Sequence, residues 1–143
     1  MTEHKVEKTL AIIKPDAVSK KYSGRIISMI EEAGLSIIGI KLLRLTSDKA
    51  AAFYAVHTGK PFFAGLIEFM SSGKIIVLAL EGENAITRWR RVMGATDPLK
   101  AEEGTIRKLF GTAVDRNACH GSDAPETAET ELNFFFTPEE LVS

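Results

Sequence analysis

The chain has 143 residues, 45% hydrophobic and 26% charged, the balance of a globular protein long enough to bury a core without staples. Eighteen basic residues against nineteen acidic ones leave a net charge of −1. That argues against nonspecific nucleic-acid or membrane-surface binders, which depend on clustered positive charge. One cysteine excludes an internal disulfide, and no apolar run approaches the ~20 residues that span a bilayer. The opening MTEHKVEKTLAIIK lacks the long apolar core of a signal peptide. The expectation is a soluble, cytoplasmic protein folding as one domain over residues 1–143.

Along the chain, Thr9-Leu10-Ala11-Ile12-Ile13 reads as a buried strand stopped at Lys14-Pro15-Asp16. Ile26, Ile27, Ile30 and Ala33 recur at helical spacing, and Gly34 is a natural stop. Leu35 to Leu45 predicts a long strand with Ile38, Ile40 and Leu42 on one face, and its Gly39 marks a bulge or a close approach. Ser47 is the expected cap of a helix reaching about Val56, HTGK is a short loop, and Pro61 opens a helix to about Met70. Lys74 to Leu80 is an almost continuously apolar strand. Asn84 then caps a helix whose Ala85, Ile86, Trp89, Val92 and Met93 form one stripe before Gly94.

Residues 95–116 read as a long excursion with a helical turn around Thr105–Phe110, a length that is usually functional or carries structure of its own. After RNACHG, Asp123-Ala124-Pro125-Glu126 has the form of a capping box. Ala128, Leu132, Phe135 and Phe136 continue as a helical stripe, and Thr137-Pro138-Glu139-Glu140 starts a final turn. The order β-α-β-αα-β-α-loop-β-α predicts an α/β (α+β) sandwich. Its form is a ferredoxin-like split βαβ, with a four-stranded antiparallel sheet and helices packed on one face.

The stretch RNACHGSD, residues 116–123, concentrates the chemistry. Cys119 and His120 are adjacent, so on a strand they point to opposite faces and make a poor thiol–imidazole dyad. Cys119 reads as a small buried hydrophobe. His4, His57 and His120 are too scattered for a zinc site, and neither of the two common glycine-rich phosphate cradles occurs. Phosphates, if bound, would be held by side chains or a metal. Lys14 at a strand end, Arg88, Arg90 and Arg91 near a helix end, and Arg107 and Arg116 flanking the long loop are available. Cations also favour a helix C-terminus for purely structural reasons, so both accounts of these arginines stand.

His120 precedes Gly-Ser-Asp at a helix entry, which would set its ring beside free N–H groups where an anion is favoured. Gly121 permits close backbone approach or an unusual dihedral. A phosphoryl-accepting nucleophile and a satisfied structural histidine are both open here. Phe62-Phe63 is likewise open between core packing and a stacking face for a base.

Asn117-x-x-His120-Gly121-Ser122-Asp123 resembles the active-site signature of the nucleoside diphosphate kinases. The resemblance extends through TLAIIKPDAV, GKPFFAGLIEFMSSG, LEGENAI, RVMGATDP, GTIRKLF and FFFTPEEL, nearly the whole chain. It implies transfer of a γ-phosphate between nucleoside tri- and diphosphates such as ATP and GDP, with Mg²⁺ carried mainly by the phosphates. It also implies a phosphohistidine intermediate and a homo-oligomer (dimer, tetramer or hexamer), with no membrane or nucleic acid required. Carried onto this chain, His120 would be the nucleophile, Glu131 would hold its far ring nitrogen, and Ser122 would support Glu131. Lys14 and Asn117 would contact the ribose hydroxyl and nearby phosphate oxygens. Arg90, Thr96 and Arg107 would bind phosphates, with Tyr54 lining the site. Phe62 would stack on the base opposite Val114, an arrangement indifferent to base identity. Arg88 and Arg91 keep the structural account.

Two positions depart from the family's usual residues: Ala124, where serine is common, and Asp97, where asparagine is common. Small kinetic effects are expected of them. The competing class is a nonenzymatic ferredoxin-like module. An RNA-binding version would show exposed strand aromatics and a basic face, whereas these strands are aliphatic.

Overall fold

The computed structural model describes residues 5–143; His4 lies outside them. A four-stranded antiparallel sheet in the order β2-β3-β1-β4 organises the chain, as the ferredoxin-like reading requires. β1 (Val6–Ile13) lies between β3 (Lys74–Glu83) and the short β4 (Cys119–Gly121). Its last four residues, Leu10 to Ile13, are fully buried. β2 (Ser36–Arg44) forms the edge beyond β3.

The helices pack on both faces of the sheet, not on one. Leu10 and Ile12 share a core with Ile75, Val77 and Ala79, covered by α3 (Ser47–Phe53), α4 (Phe63–Met70) and α7 (Pro125–Phe135). Ala11 and Ile13 turn the other way, with Leu78 and Leu80. That second core is covered by α1 (Pro15–Ser19), α2 (Ser23–Glu32), α5 (Ala85–Met93) and α6 (Ile106–Phe110). Two covered faces are why β1 and β3 read as continuous apolar runs with no polar alternation.

Gly39 does sit beside a bulge. Pairing steps from Ile37↔Leu80 directly to Gly39↔Ala79, leaving Ile38 as the extra residue. The expected face is therefore split. Ile38 is buried in the first core, while Ile40 and Leu42, opposite Leu78 and Ile76, lie on the other face, 52% and 61% exposed. A single inserted residue reverses the inward and outward alternation after it. The close approach holds too: a Cβ on Gly39 would come within 3.0 Å of the Phe136 ring and Leu141.

Several caps differ from expectation. Thr46, one residue before Ser47, accepts the Lys49 amide at 3.1 Å and caps α3. Asn84 occupies the cap of α5 in the left-handed region (φ 51°) without a side-chain bond, and the Glu7 carboxylate accepts the Ile86 amide instead. Ala124 caps α7 with no side-chain bond, so the expected capping box does not form. α4 begins at Phe63, two residues after Pro61. The short α1 and a 3-10 turn over Ala55–His57 were not expected. Residues 95–116 carry structure of their own: a 3-10 turn at Pro98–Lys100, α6, and a bridge between Ala113 and Arg116.

Candidate active site

His120 is the middle residue of β4 and pairs with Ile12 of β1. Its neighbour Cys119 belongs to the opposite core and is fully buried, so the two side chains part as strand geometry demands. Burial pushes the Cys119 thiol up to about 11, even against the nearby Arg107 and Lys14, which leaves it a poor nucleophile. The imidazole is half-buried. Its Nε2 lies 3.0 Å from Glu131 Oε1, and that same oxygen accepts the Ser122 hydroxyl at 2.8 Å. Ser122 Oγ in turn accepts the Leu10 amide at 3.4 Å. Nδ1 has no hydrogen-bond partner among the described residues.

Glu131 lies well inside α7, so the ring meets a carboxylate there instead of the free N–H groups expected at the helix entry. Ser122 to Ala124 separate the strand from the helix. The rings of Phe53 and Tyr54 stand edge-on to the imidazole, with centroids at 5.6 and 6.2 Å. The Tyr54 hydroxyl is buried without a partner, and burial, then the Glu131 charge, raises its pKa. On the backbone side, the indole N–H of Trp89 donates to the His120 carbonyl at 3.1 Å.

The cationic wall is built from three elements. Lys14, at the end of β1, donates from Nζ to Asn117 Oδ1 at 2.9 Å, and Asn117 Nδ2 donates to the Thr96 carbonyl at 3.1 Å. Arg107 on α6 is buried and uses two nitrogens as a tie, to the Gly94 carbonyl at 3.0 Å and the Cys119 carbonyl at 2.9 Å. Its Nε is buried and unpaired. Arg90, on the last turn of α5, lines the same cleft. Arg88 does not: it donates to the Ala33 carbonyl at 3.1 Å, a structural bond, but at the C-terminal end of α2 and not of its own α5.

A cleft of about 810 Å³ joins these parts. It gathers Lys14, Tyr54, Arg90, Thr96, Arg107, Asn117, His120 and Glu131, with Phe62 and Val114 at its exposed rim. Ser122 stands behind it, reaching it through Glu131. His57, given no place in the site from sequence, also lines the cleft, as does Arg116, one of the cations available to it. His57 packs edge-on to Phe62 at 5.2 Å, and the Arg116 guanidinium lies 3.9 Å above the Phe69 ring. His57 could have been suspected from a lone histidine in the loop before Phe62. Arg116 was available from sequence as a cation flanking the long loop, but its contact with Phe69 was not legible, because that ring lies 47 residues earlier in the chain.

The sequence model of the family described as "Nucleoside diphosphate kinase" matches residues 7–141. The nucleoside diphosphate kinase 1 of Protochlamydia amoebophila is 56% identical over 135 residues, covering 94% of this chain and 96% of that protein. The nucleoside diphosphate kinase of Persephonella marina is 53% identical, with coverages of 96% and 98%. A crystal form of the Aquifex aeolicus nucleoside diphosphate kinase superposes with a TM-score of 0.94 at 45% identity, covering 96% of this chain and all of that one. The Halobacterium salinarum enzyme in complex with CDP gives 0.93 at 38% identity, with coverages of 97% and 93%.

Proposed function

The chain belongs to the nucleoside diphosphate kinase family, enzymes that move a phosphate between nucleoside tri- and diphosphates, and we propose that here the transfer is ping-pong through a phosphohistidine on His120. The observation that carries this reading is the Glu131 contact at Nε2, with Nδ1 unpartnered at the cleft. Glu131 holds the ring proton on Nε2, so the Nδ1 lone pair is free to attack the γ-phosphorus. The bond to the leaving nucleoside diphosphate breaks as the N–P bond forms. The second nucleoside diphosphate reverses the step through its own terminal phosphate oxygen. Ser122 holds Glu131 in place throughout.

Lys14, Arg90 and Arg107 neutralise the phosphate chain, helped by Thr96, while Lys14 and Asn117 set the sugar end. Phosphoryl transfer depends on positioning and charge more than on covalent help, and a chain without a glycine-rich cradle supplies both from such side chains. A base stacked on Phe62 against Val114 is held by its π-face, which gives broad base tolerance. Tyr54 closes the wall beside the histidine.

Family members use a divalent cation, and we assign Mg²⁺. Among the described residues no group of three or more His, Cys, Asp or Glu is placed to hold a metal. We read the cation as carried on the nucleotide phosphates, where it would neutralise charge. We further read residues 1–143 as one cytoplasmic domain that assembles as a homo-oligomer. Among the described residues no helix is long and apolar enough to cross a membrane.

The test is a two-step transfer. Wild-type protein and His120→Ala are incubated with γ-labelled ATP and Mg²⁺, freed of nucleotide, then given GDP. An acid-labile, base-stable label on the wild type alone, discharged as GTP, is the expected result. Equal labelling of the variant, or none on the wild type, would remove His120 as the nucleophile.

A further inference from the structure

Between Asn117 and His120 the backbone makes a turn that alanine rarely adopts. Ala118 has φ 75°, and the Cys119 amide bonds the Asn117 carbonyl across it at 2.9 Å. A bond from i+2 to i around a positive φ is the γ-turn, rare and strained for an L-residue. Such a conformation persists only where its surroundings over-determine it. Here the amide and the carbonyl of the fully buried Ala118, on the two sides of the turn, are both held by one short segment. The Lys14 amide donates to the Ala118 carbonyl at 2.9 Å, and the Ala118 amide donates to Asp16 Oδ2 at 3.0 Å. The second bond is the only one of the pair made by a side chain.

The two residues that flank Ala118 also hold pieces of the proposed site. Asn117 receives Lys14 Nζ, and the Cys119 carbonyl receives Arg107. The next residue is His120. Asp16 itself lines no part of the cleft, and its second oxygen is buried without a partner.

We infer that Asp16 is a positioning residue for phosphoryl transfer: its carboxylate clamps the Ala118 amide and holds the strained turn that sets Lys14, Asn117 and His120 in register. The inference rests on the reading of the cleft given above. Loss of the clamp lets the turn relax toward an ordinary backbone conformation and drags those groups off line. A second effect follows from charge. Lys14 is faced by Asp16 from α1, Arg107 from α6 and Cys119 from β4; with the Cys119 thiol kept neutral by burial, Asp16 is the anion among them that favours the protonated form.

The test is a four-membered cycle of wild type, Asp16→Ala, Ala118→Gly and the double variant, with Asp16→Asn beside it. Turnover of ATP with GDP is measured, so the comparison does not depend on any covalent intermediate. Labelling of His120 is followed separately, and its failure would count against the phosphohistidine without touching the Asp16 result. Asp16→Ala is expected to lower kcat about tenfold or more, with a smaller change in KM. In the Ala118→Gly background the same exchange is expected to cost about threefold or less, since glycine takes a positive φ without strain.

Asp16→Asn keeps an acceptor oxygen. It should retain most of kcat at pH 7 while the alkaline limb of its pH profile moves to lower pH. Equal losses in the alanine and glycine backgrounds would overturn the inference, as would an Asp16→Ala enzyme with native kcat. Should Asp16→Ala not fold, the ratio of Asp16→Asn to wild type in both backgrounds, with its pH profile, decides the matter.

Discussion

Lys14 sits almost fully buried, and that burial, together with the Arg107 charge, lowers its pKa from 10.5 to about 8. The direction fixes how stability depends on pH. Below pH 8 the ammonium is charged in both states, and the fold carries the full cost of burying it. Between pH 8 and 10.5 the unfolded chain holds more protons, so stability rises with pH until the cost is gone. A shift of this size is roughly 3 kcal/mol, part of which the bond to Asn117 already reflects. Lys14→Met is therefore predicted to raise Tm at pH 7 by about 3–6 °C, a gain that shrinks toward pH 10. The same variant should lose about tenfold or more in turnover, because the phosphate chain loses a cation. Thermal melts at pH 7 and 10, set beside kcat, check both halves. For the wild type, KM for nucleotide should climb as pH passes 8. A residue that weakens the fold to serve the site has to show both signs.

At the scale of elements, the shortest strand carries the proposed nucleophile and is held by what it touches. β4 has three residues, paired to β1 at Ala11, Ile12 and Ile13, and it lies against α5. A Cβ on Gly121 would fall 2.6 Å from the Trp89 indole and from Met93 Cε, so the glycine is there for close approach, and its φ is ordinary. Gly121→Ala is predicted to destabilise by about 2 kcal/mol through overpacking and to break the Trp89 bond to His120. Urea titration gives the first quantity, and the rate of His120 labelling should fall with it. A variant of native stability would show that α5 yields instead. Ala124 and Asp97 act at element ends. Ala124 leaves α7 without a side-chain cap, whereas Asp97 accepts the Leu99 amide at 3.0 Å, as an asparagine could. Neither lines the cleft.

For the whole molecule, β2 is the exposed part. Among the described residues its outer edge pairs with no strand, and beyond the bulge it presents Ile40 and Leu42 to solvent. The Val142 amide reaches only the bulge end, at the Ile38 carbonyl. A monomer rarely leaves an aliphatic edge strand open, because it templates pairing with another chain. We predict that this edge joins two copies of the chain. Ile40→Lys with Leu42→Lys should shift the smallest species in light scattering from dimer to monomer. A wild type that is a stable monomer at micromolar concentration would count against the prediction.

Much of this protein was legible from sequence because the signals were local. Continuous apolar runs marked β1 and β3, helical stripes marked α2, α5 and α7, and the resemblance of the residues around His120 to a family signature pointed to the candidate site. What escaped was decided between segments distant in the chain. The split face of β2 depends on one bulged residue, whose side is settled only by the register against β3. Helices on both faces of the sheet look the same in sequence as helices on one, since a stripe shows that a face is buried and not against what. Likewise Lys14 meets Asn117, and Asp16 meets Ala118, across about a hundred residues. By itself the sequence determined which residues could bear the chemistry, through their types and short-range pattern. Only the tertiary structure decided which of them meet, because a hydrogen bond needs its atoms about 3 Å apart, and only the folded chain fixes such distances.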